Sequence, residues 1–148
     1  MHCTGWSRNL TKEKAAELGM DYADSIMEAV KQADFVVLGM ALTEETRGII
    51  GAKELAGMKK GAILINTARG ALIDEHALLK ALSEGTAGEE SHLSAAGLDV
   101  LAEEPLTMEH PFYKLPNVVL TPHVGANTEE ALYRVGMACV EGIKAHAE

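Results

Sequence analysis

The chain has 148 residues, 47% of them hydrophobic and 24% charged, with a formal net charge of −9. That is the length and composition of one ordinary globular domain, and the acidic balance argues against a nucleic-acid-binding surface, which needs clustered lysine and arginine. No apolar run approaches a membrane span, no signal-peptide layout opens the chain, and Cys3 and Cys139 match no metal or redox spacing, so no metal site is expected and the expected compartment is the cytoplasm with both thiols reduced.

Residues 2–6 read as a short strand, followed at once by the polar Ser7-Arg8-Asn9. Thr11 is a suitable N-cap and opens a helix that runs through Leu18 and stops at Gly19. Residues 21–23 read as a brief strand, and Asp24 or Ser25 caps a second helix over 26–32. Phe35-Val-Val-Leu38 reads as a buried strand ending at Gly39-Met40-Ala41. A polar loop over 42–47 and the stretch 48–50 lead to a short helix around 53–56. Ile63-Leu64-Ile65 is a continuous apolar run with two β-branched members, the pattern of a parallel strand buried on both faces. It ends in Asn66-Thr67-Ala68-Arg69-Gly70, after which Asp74 caps a helix with apolar positions Ala77, Leu78, Ala81 and Leu82. Residues 83–94 read as a loop, 95–100 as a strand, and 101–116 as a loop holding Pro105, Pro111 and Pro116. The last strand spans 117–121, and Pro122-His123-Val124-Gly125-Ala126 follows it. Asn127 or Thr128 caps a final helix to about residue 147, with Leu132, Val135, Cys139, Val140 and Ile143 on one side.

Strands alternating with helices predict an α/β fold, a mostly parallel sheet with flanking helices. In open sheets of this kind ligands bind just beyond the carboxyl ends of the strands. Four buried runs end in Gly39-Met40, Thr67-Ala68-Arg69, Asp99 and Thr121-Pro122-His123, so an arginine, an aspartate and a histidine are expected along one edge, with the loop acid Glu104 nearby. An arginine can grip a substrate carboxylate and polarise the adjacent carbonyl. A histidine moves protons near neutral pH, and a carboxylate held against it orients its ring. Arg69, Glu104 and His123 together suit reversible oxidation of a 2-hydroxy acid, for which the hydride needs a cofactor. Each residue also has a plainer reading. Arg69 can pair with a surface acid, His123 can bond only backbone, Glu104 can be a solvated charge beside Glu103 and Glu109, and Asp99 can cap a turn. His2, His76, His92, His110 and His146 read as surface residues.

Five stretches carry a more specific signal: Leu42-Thr-Glu-Glu-Thr-Arg-Gly48, Met58-Lys-Lys-Gly-Ala-Ile-Leu-Ile-Asn-Thr-Ala-Arg-Gly70, Gly97-Leu-Asp-Val100, Glu103-Glu-Pro105 and Leu115-Pro-Asn-Val-Val-Leu-Thr-Pro-His123. In this order, over most of the chain, they resemble the nucleotide-binding domain of the D-isomer-specific 2-hydroxyacid dehydrogenases, a family that includes phosphoglycerate dehydrogenase, D-lactate dehydrogenase and glyoxylate/hydroxypyruvate reductase. The resemblance implies a Rossmann-like sheet, NAD or NADP as cofactor and a small 2-hydroxy or 2-keto acid as substrate. It places the family's catalytic set on Arg69, Glu104 and His123. It places cofactor contacts on Met40, Thr67, Ala68, Asp99, Val124, Gly125 and Ala126, with Asp99 facing the nicotinamide carboxamide.

The sequence departs from the family pattern in several places. Ser7-Arg8 stands where an acidic residue would bond the adenosine ribose and repel a 2′-phosphate. Ser7 cannot repel phosphate and Arg8 can pair with it, so NADP is expected to be accepted. The Gly-rich phosphate turn G-x-G-x-x-G is absent. Residues 1–148 are therefore expected to be a partial NAD(P)-binding domain lacking its first strand-turn-helix unit, without a substrate domain: a fragment, a misassigned start or a truncated gene product. Direct pairing of the 2–6 strand with residues 35–38, a rearrangement, or a second copy must then fill the centre of the sheet. An exposed apolar edge makes a homo-oligomer, such as a dimer, the expected state, and loss of the backbone donors at the pyrophosphate makes cofactor binding weak and the chain inactive alone. Residues 89–94 lengthen one loop relative to the pattern, and Ala41 stands where proline is frequent. Two other functions fit the same residues: a non-catalytic nucleotide-binding module of the corepressor type, and a truncated remnant that only self-associates.

Overall fold

The computed structural model describes residues 1–83, 92–105, 107 and 109–147. The lengthened loop therefore lies largely outside the described residues. In chain order the elements are β1 (Thr4–Gly5), α1 (Lys12–Glu17), β2 (Asp21–Tyr22), α2 (Ile26–Val30), β3 (Phe35–Leu38), α3 (Ala52–Gly57), β4 (Ile63–Asn66), α4 (Glu75–Ser83), β5 (Ala95–Leu98), β6 (Val118–Leu120) and α5 (Glu129–His146). The helix starts are set by side-chain caps. The hydroxyls of Thr11, Ser25 and Thr128 accept from the amides of Lys14, Glu28 and Ala131, and Asp74 Oδ1 accepts from Ala77 N at 3.1 Å. Ser25, not Asp24, caps α2, and Thr128, not Asn127, caps α5.

Among the described residues all strand pairs are parallel, and they form two separate sheets, β1-β2 and β3-β4-β5-β6. Direct pairing of β1 with β3 does not occur. In the larger sheet Leu38 stands opposite Asn66, Asn66 opposite Leu98, and Leu98 opposite Leu120. The residues that follow, Gly39, Thr67, Asp99 and Thr121, consequently share one edge.

One face of this sheet holds the core. Val36, Leu38, Leu64, Ala96 and Leu98 pack with Leu55 of α3 and Leu78 and Leu82 of α4, together with Ile50, Leu72, Leu93 and Phe112. The expectation of burial on both faces fails here. Phe35, Val37 and Val119 on the other face are 57%, 63% and 68% exposed. A parallel sheet needs helices on both sides, and among the described residues only one side is covered. The helix over 129–146 forms where the pattern places it, yet none of its residues is buried. Its expected apolar side, including Leu132, Val135, Val140 and Ile143, is exposed.

Two short 3-10 turns, Gly70–Leu72 and Pro111–Lys114, interrupt stretches expected to be irregular. The first brings Ile73 into a parallel bridge with Ile50. Two histidines expected at the surface are half-buried structural groups. His92 Nε2 lies 2.9 Å from the Met58 carbonyl, and His110 packs its ring against Phe112 with centroids 5.0 Å apart. Leu78 has no exposed surface, so Leu78→Ala should cost about 2–5 kcal/mol in urea unfolding. Leu18→Ala, at a position 58% exposed, should stay within about 0.5 kcal/mol.

Candidate active site

The site is built at the shared strand edge. Asn66, the last residue of β4, has no exposed surface. A buried amide must find partners for both ends. Its Nδ2 donates to the Arg69 carbonyl at 2.9 Å, and its Oδ1 accepts from Ala68 N at 3.1 Å. These bonds fold the Thr67-Ala68-Arg69 turn back on the strand. Arg69 is exposed, and its Nη1 donates to the Ala68 carbonyl at 2.6 Å. The next residue must be glycine, because a Cβ on Gly70 would stand 1.9 Å from the Leu101 carbonyl carbon.

That close approach brings the 101–105 loop beside the arginine turn. Glu104 Oε1 accepts from Leu101 N at 2.9 Å, and Glu104 Oε2 lies 2.7 Å from His123 Nδ1. The two side chains are 35% and 49% exposed, so the pair faces an open cleft. This cleft, of about 600 Å³, is lined by Asp99, Glu104, Pro105, Tyr113, Leu120, Thr121, Pro122 and His123.

His123 adopts a left-handed backbone with φ +55°. That conformation costs a non-glycine residue roughly 1–3 kcal/mol unless its surroundings enforce it. Asp99, buried at the end of β5, supplies the enforcement. Its Oδ1 accepts from Thr121 Oγ1 at 2.5 Å and from Val124 N at 3.0 Å, and its Oδ2 accepts from Gly125 N at 2.9 Å. The carboxylate thus holds the turn on both sides of His123. A carboxylate offers about four acceptor positions, so one remains beyond these three bonds.

These bonds shift the acids. The Thr121 hydroxyl, then the Val124 and Gly125 amides, hold Asp99 below its ordinary range, with the charge of His123 adding a smaller pull. The His123 hydrogen bond, then the Leu101 amide, does the same for Glu104, against a small opposing push from Asp99.

The sequence-expected residues fall into four groups. Glu104, His123 and Asp99 form one bonded unit with the Val124-Gly125-Ala126 turn. Arg69 lines a neighbouring cleft of about 410 Å³ with Gly39, Met40, Ala41, Leu42 and Ala68. Thr67 is exposed on the strand edge between them. Ser7 and Arg8 follow β1, exposed. Glu45, in the turn after β3, is held below its ordinary range by the Thr43 hydroxyl, then by its own backbone amide, and last by the charge of Arg8. Sequence reasoning missed Asn66, which is visible as a polar residue ending an apolar strand.

The family described as D-isomer specific 2-hydroxyacid dehydrogenase, NAD binding domain, matches residues 1–125. The chain belongs to this family. It is 46% identical over 144 residues to D-3-phosphoglycerate dehydrogenase of Methanocaldococcus jannaschii, covering 97% of this chain and 26% of that protein. It superposes with a TM-score of 0.83 at 33% identity on the NAD-complexed D-isomer specific 2-hydroxyacid dehydrogenase of Lactobacillus delbrueckii ssp. bulgaricus, over 99% of this chain and 46% of that one. The corresponding enzyme of Xanthobacter autotrophicus Py2, in complex with NADPH and MES, aligns with a TM-score of 0.71 at 35% identity, over 82% of this chain and 47% of that one. The dehydrogenase-family chain thus spans from a quarter to just under half the length of these relatives. Its fold is the family's Rossmann-like parallel sheet, represented here by part of the NAD-binding domain.

Because Asp99 and Glu104 both sit below their unfolded values, the stability they contribute is present above the ordinary carboxylate range and is lost as pH falls through their depressed folded values. Urea midpoints should decline on acidification from about pH 4 downward, and Asp99→Asn and Glu104→Gln should each flatten that decline. At neutral pH Asp99→Asn, which turns an amide NH2 toward donors, should cost about 1–3 kcal/mol.

Proposed function

We propose that the chain is the nucleotide-binding part of an oxidoreductase that transfers a hydride between NAD(P) and a 2-hydroxy or 2-keto acid. The observation that carries this reading is the Glu104–His123 pair, 2.7 Å apart at the strand edge and open to a cleft. Nδ1 of His123 is engaged by Glu104, which leaves Nε2 to take the hydroxyl proton of the substrate and to return it in the reverse direction. Glu104, ionised and held low, stabilises the imidazolium so formed. Arg69 leaves the Ala68 carbonyl to grip the substrate carboxylate and polarise the carbonyl at C2.

The residues present fit the nicotinamide end of a dinucleotide. Met40, Ala41, Leu42 and Ala68 wall a cleft with small and apolar groups, and nothing lies within 4 Å of where a Cβ on Gly39 would stand. Thr67, Val124, Gly125 and Ala126 border the same edge, and the remaining acceptor position of Asp99 suits a carboxamide N–H. The bound cofactor supplies the hydride acceptor or donor. Ser7 and Arg8 suit a 2′-phosphate, which favours NADP over NAD. The sequence contains no G-x-G-x-x-G, so residues 1–148 act as a partial domain and bind the pyrophosphate weakly on their own.

The uncovered sheet face, the exposed side of α5 and the unpaired edges of β1 and β3 support a homo-oligomer. The same surfaces favour a second reading, a chain that only self-associates. Among the described residues no helix is long and apolar enough to cross a membrane, and both cysteines are free, which supports a cytoplasmic protein. The net charge of −9 argues against a nucleic-acid partner.

Trp6, the single tryptophan, adjoins Ser7-Arg8 and reports directly on the nucleotide. Titration with NADPH should quench its fluorescence saturably, more tightly than NADH does. Arg8→Gln should weaken NADPH about tenfold and leave NADH unchanged, the size of one charge-assisted contact. Saturable quenching by neither cofactor would replace this reading with self-association alone.

A further inference from the structure

Glu75 belongs to none of the groups assigned above. It is the first residue of α4, directly after the cap Asp74 and six positions after Arg69. Its side chain is 22% exposed. Oε1 accepts from Ala102 N at 2.6 Å, and Oε2 stands 3.9 Å from His110 Nε2. His110 Nδ1 accepts from Phe112 N at 3.4 Å, so in the neutral ring the proton sits on Nε2, the atom that faces Glu75. Phe112, against which His110 packs, is 1% exposed. Glu75 thus bonds the loop that carries Glu104 at one oxygen, and its other oxygen stands near a ring packed on the buried Phe112.

The tie matters because of how the arginine turn meets that loop. A Cβ on Gly70 would strike the backbone of Leu101 and Ala102, so the two segments touch backbone to backbone with no interlocking side chain from residue 70. Glu104 bonds Leu101 N, but this bond lies within the loop and moves with it. Glu75, through its bond to Ala102 N, fixes the loop to the start of α4, and so to the arginine turn. His110 is the ionisable group facing Glu75, and His123 and Asp99 are those facing Glu104.

We propose that Glu75 is a positioning residue: by holding the Ala102 amide it fixes the Glu104 carboxylate against His123 and sets the spacing of that pair from Arg69. The proposal rests on the catalytic reading of Arg69, Glu104 and His123.

The test uses the full chain and two NMR readouts, exchange of the Ala102 amide and titration of the Glu104 carboxyl. Glu75→Asp keeps the negative charge at the start of α4 but is one methylene too short for Ala102. It should speed Ala102 exchange about tenfold, bring Glu104 back toward its ordinary range, and leave the Leu78 and Leu82 amides of α4 unchanged. Glu75→Gln keeps length and an acceptor oxygen and should restore most of both signals. Ala102 exchange and Glu104 titration in Glu75→Asp that match the wild type would overturn the proposal, as would a change that appears only with loosening of all of α4. Should Glu75→Asp not fold, Glu75→Ala decides: loss of the acceptor should speed Ala102 exchange about tenfold, and unchanged exchange overturns the proposal. Neither readout needs nucleotide or turnover. Failure to bind cofactor would remove the catalytic reading and leave the brace standing, while saturable NADPH binding with an unmoved Glu104 would do the reverse.

Discussion

Parallel register is the constraint on which the rest of the site depends. Because β3, β4, β5 and β6 all run the same way and pair without offset, the residue after each paired run emerges at one edge. Four segments far apart in sequence therefore deliver Gly39, Thr67, Asp99 and Thr121 to one row. The backbone ladder places this row, side chains at or near it fix the turns that follow, and the 101–105 loop adds Glu104 from outside it.

Two carboxylates and one amide do that fixing. Asn66 bends the arginine turn by satisfying both of its own ends. Asp99 holds His123 in a left-handed conformation that its residue type disfavours. Glu75 ties the Glu104 loop to the helix that follows the arginine. The local rules broken here, a buried polar amide and a strained histidine, are broken where the chemistry is proposed, and each is compensated by a named bond. The cost of the His123 backbone, roughly 1–3 kcal/mol, is of the size that three hydrogen bonds to one ionised carboxylate can offset.

Much of this was legible in the sequence. Apolar runs marked β3 to β6, and Thr11, Asp74 and the pairs Asp24/Ser25 and Asn127/Thr128 marked helix starts, because cap chemistry is local. The strand-end residues followed from the expectation of a parallel sheet. Burial was not legible. Phe35, Val36, Val37 and Leu38 are all apolar, so the run cannot tell which alternate pair faces the core, and only Val36 and Leu38 do. The apolar stripe of α5 likewise predicts a covered face that the described residues do not provide. Long-range anchors were also silent. Glu75, His92 and His110 act through partners 27, 34 and 35 residues away in sequence, and the backbone contact that requires Gly70 exists only in three dimensions.

The central claim is that this strand edge is a nicotinamide site facing an acid–base pair. Amide chemical-shift mapping of the isotope-labelled chain on addition of NADPH tests it most directly. The account predicts saturable shifts confined to the row and its turns, at Met40, Thr67, Ala68, Asp99, Val124 and Gly125, with further shifts at Ser7 and Arg8 and none along α5. Shifts centred on α5 or on the uncovered sheet face, or no saturable shifts at any of these residues, would contradict it.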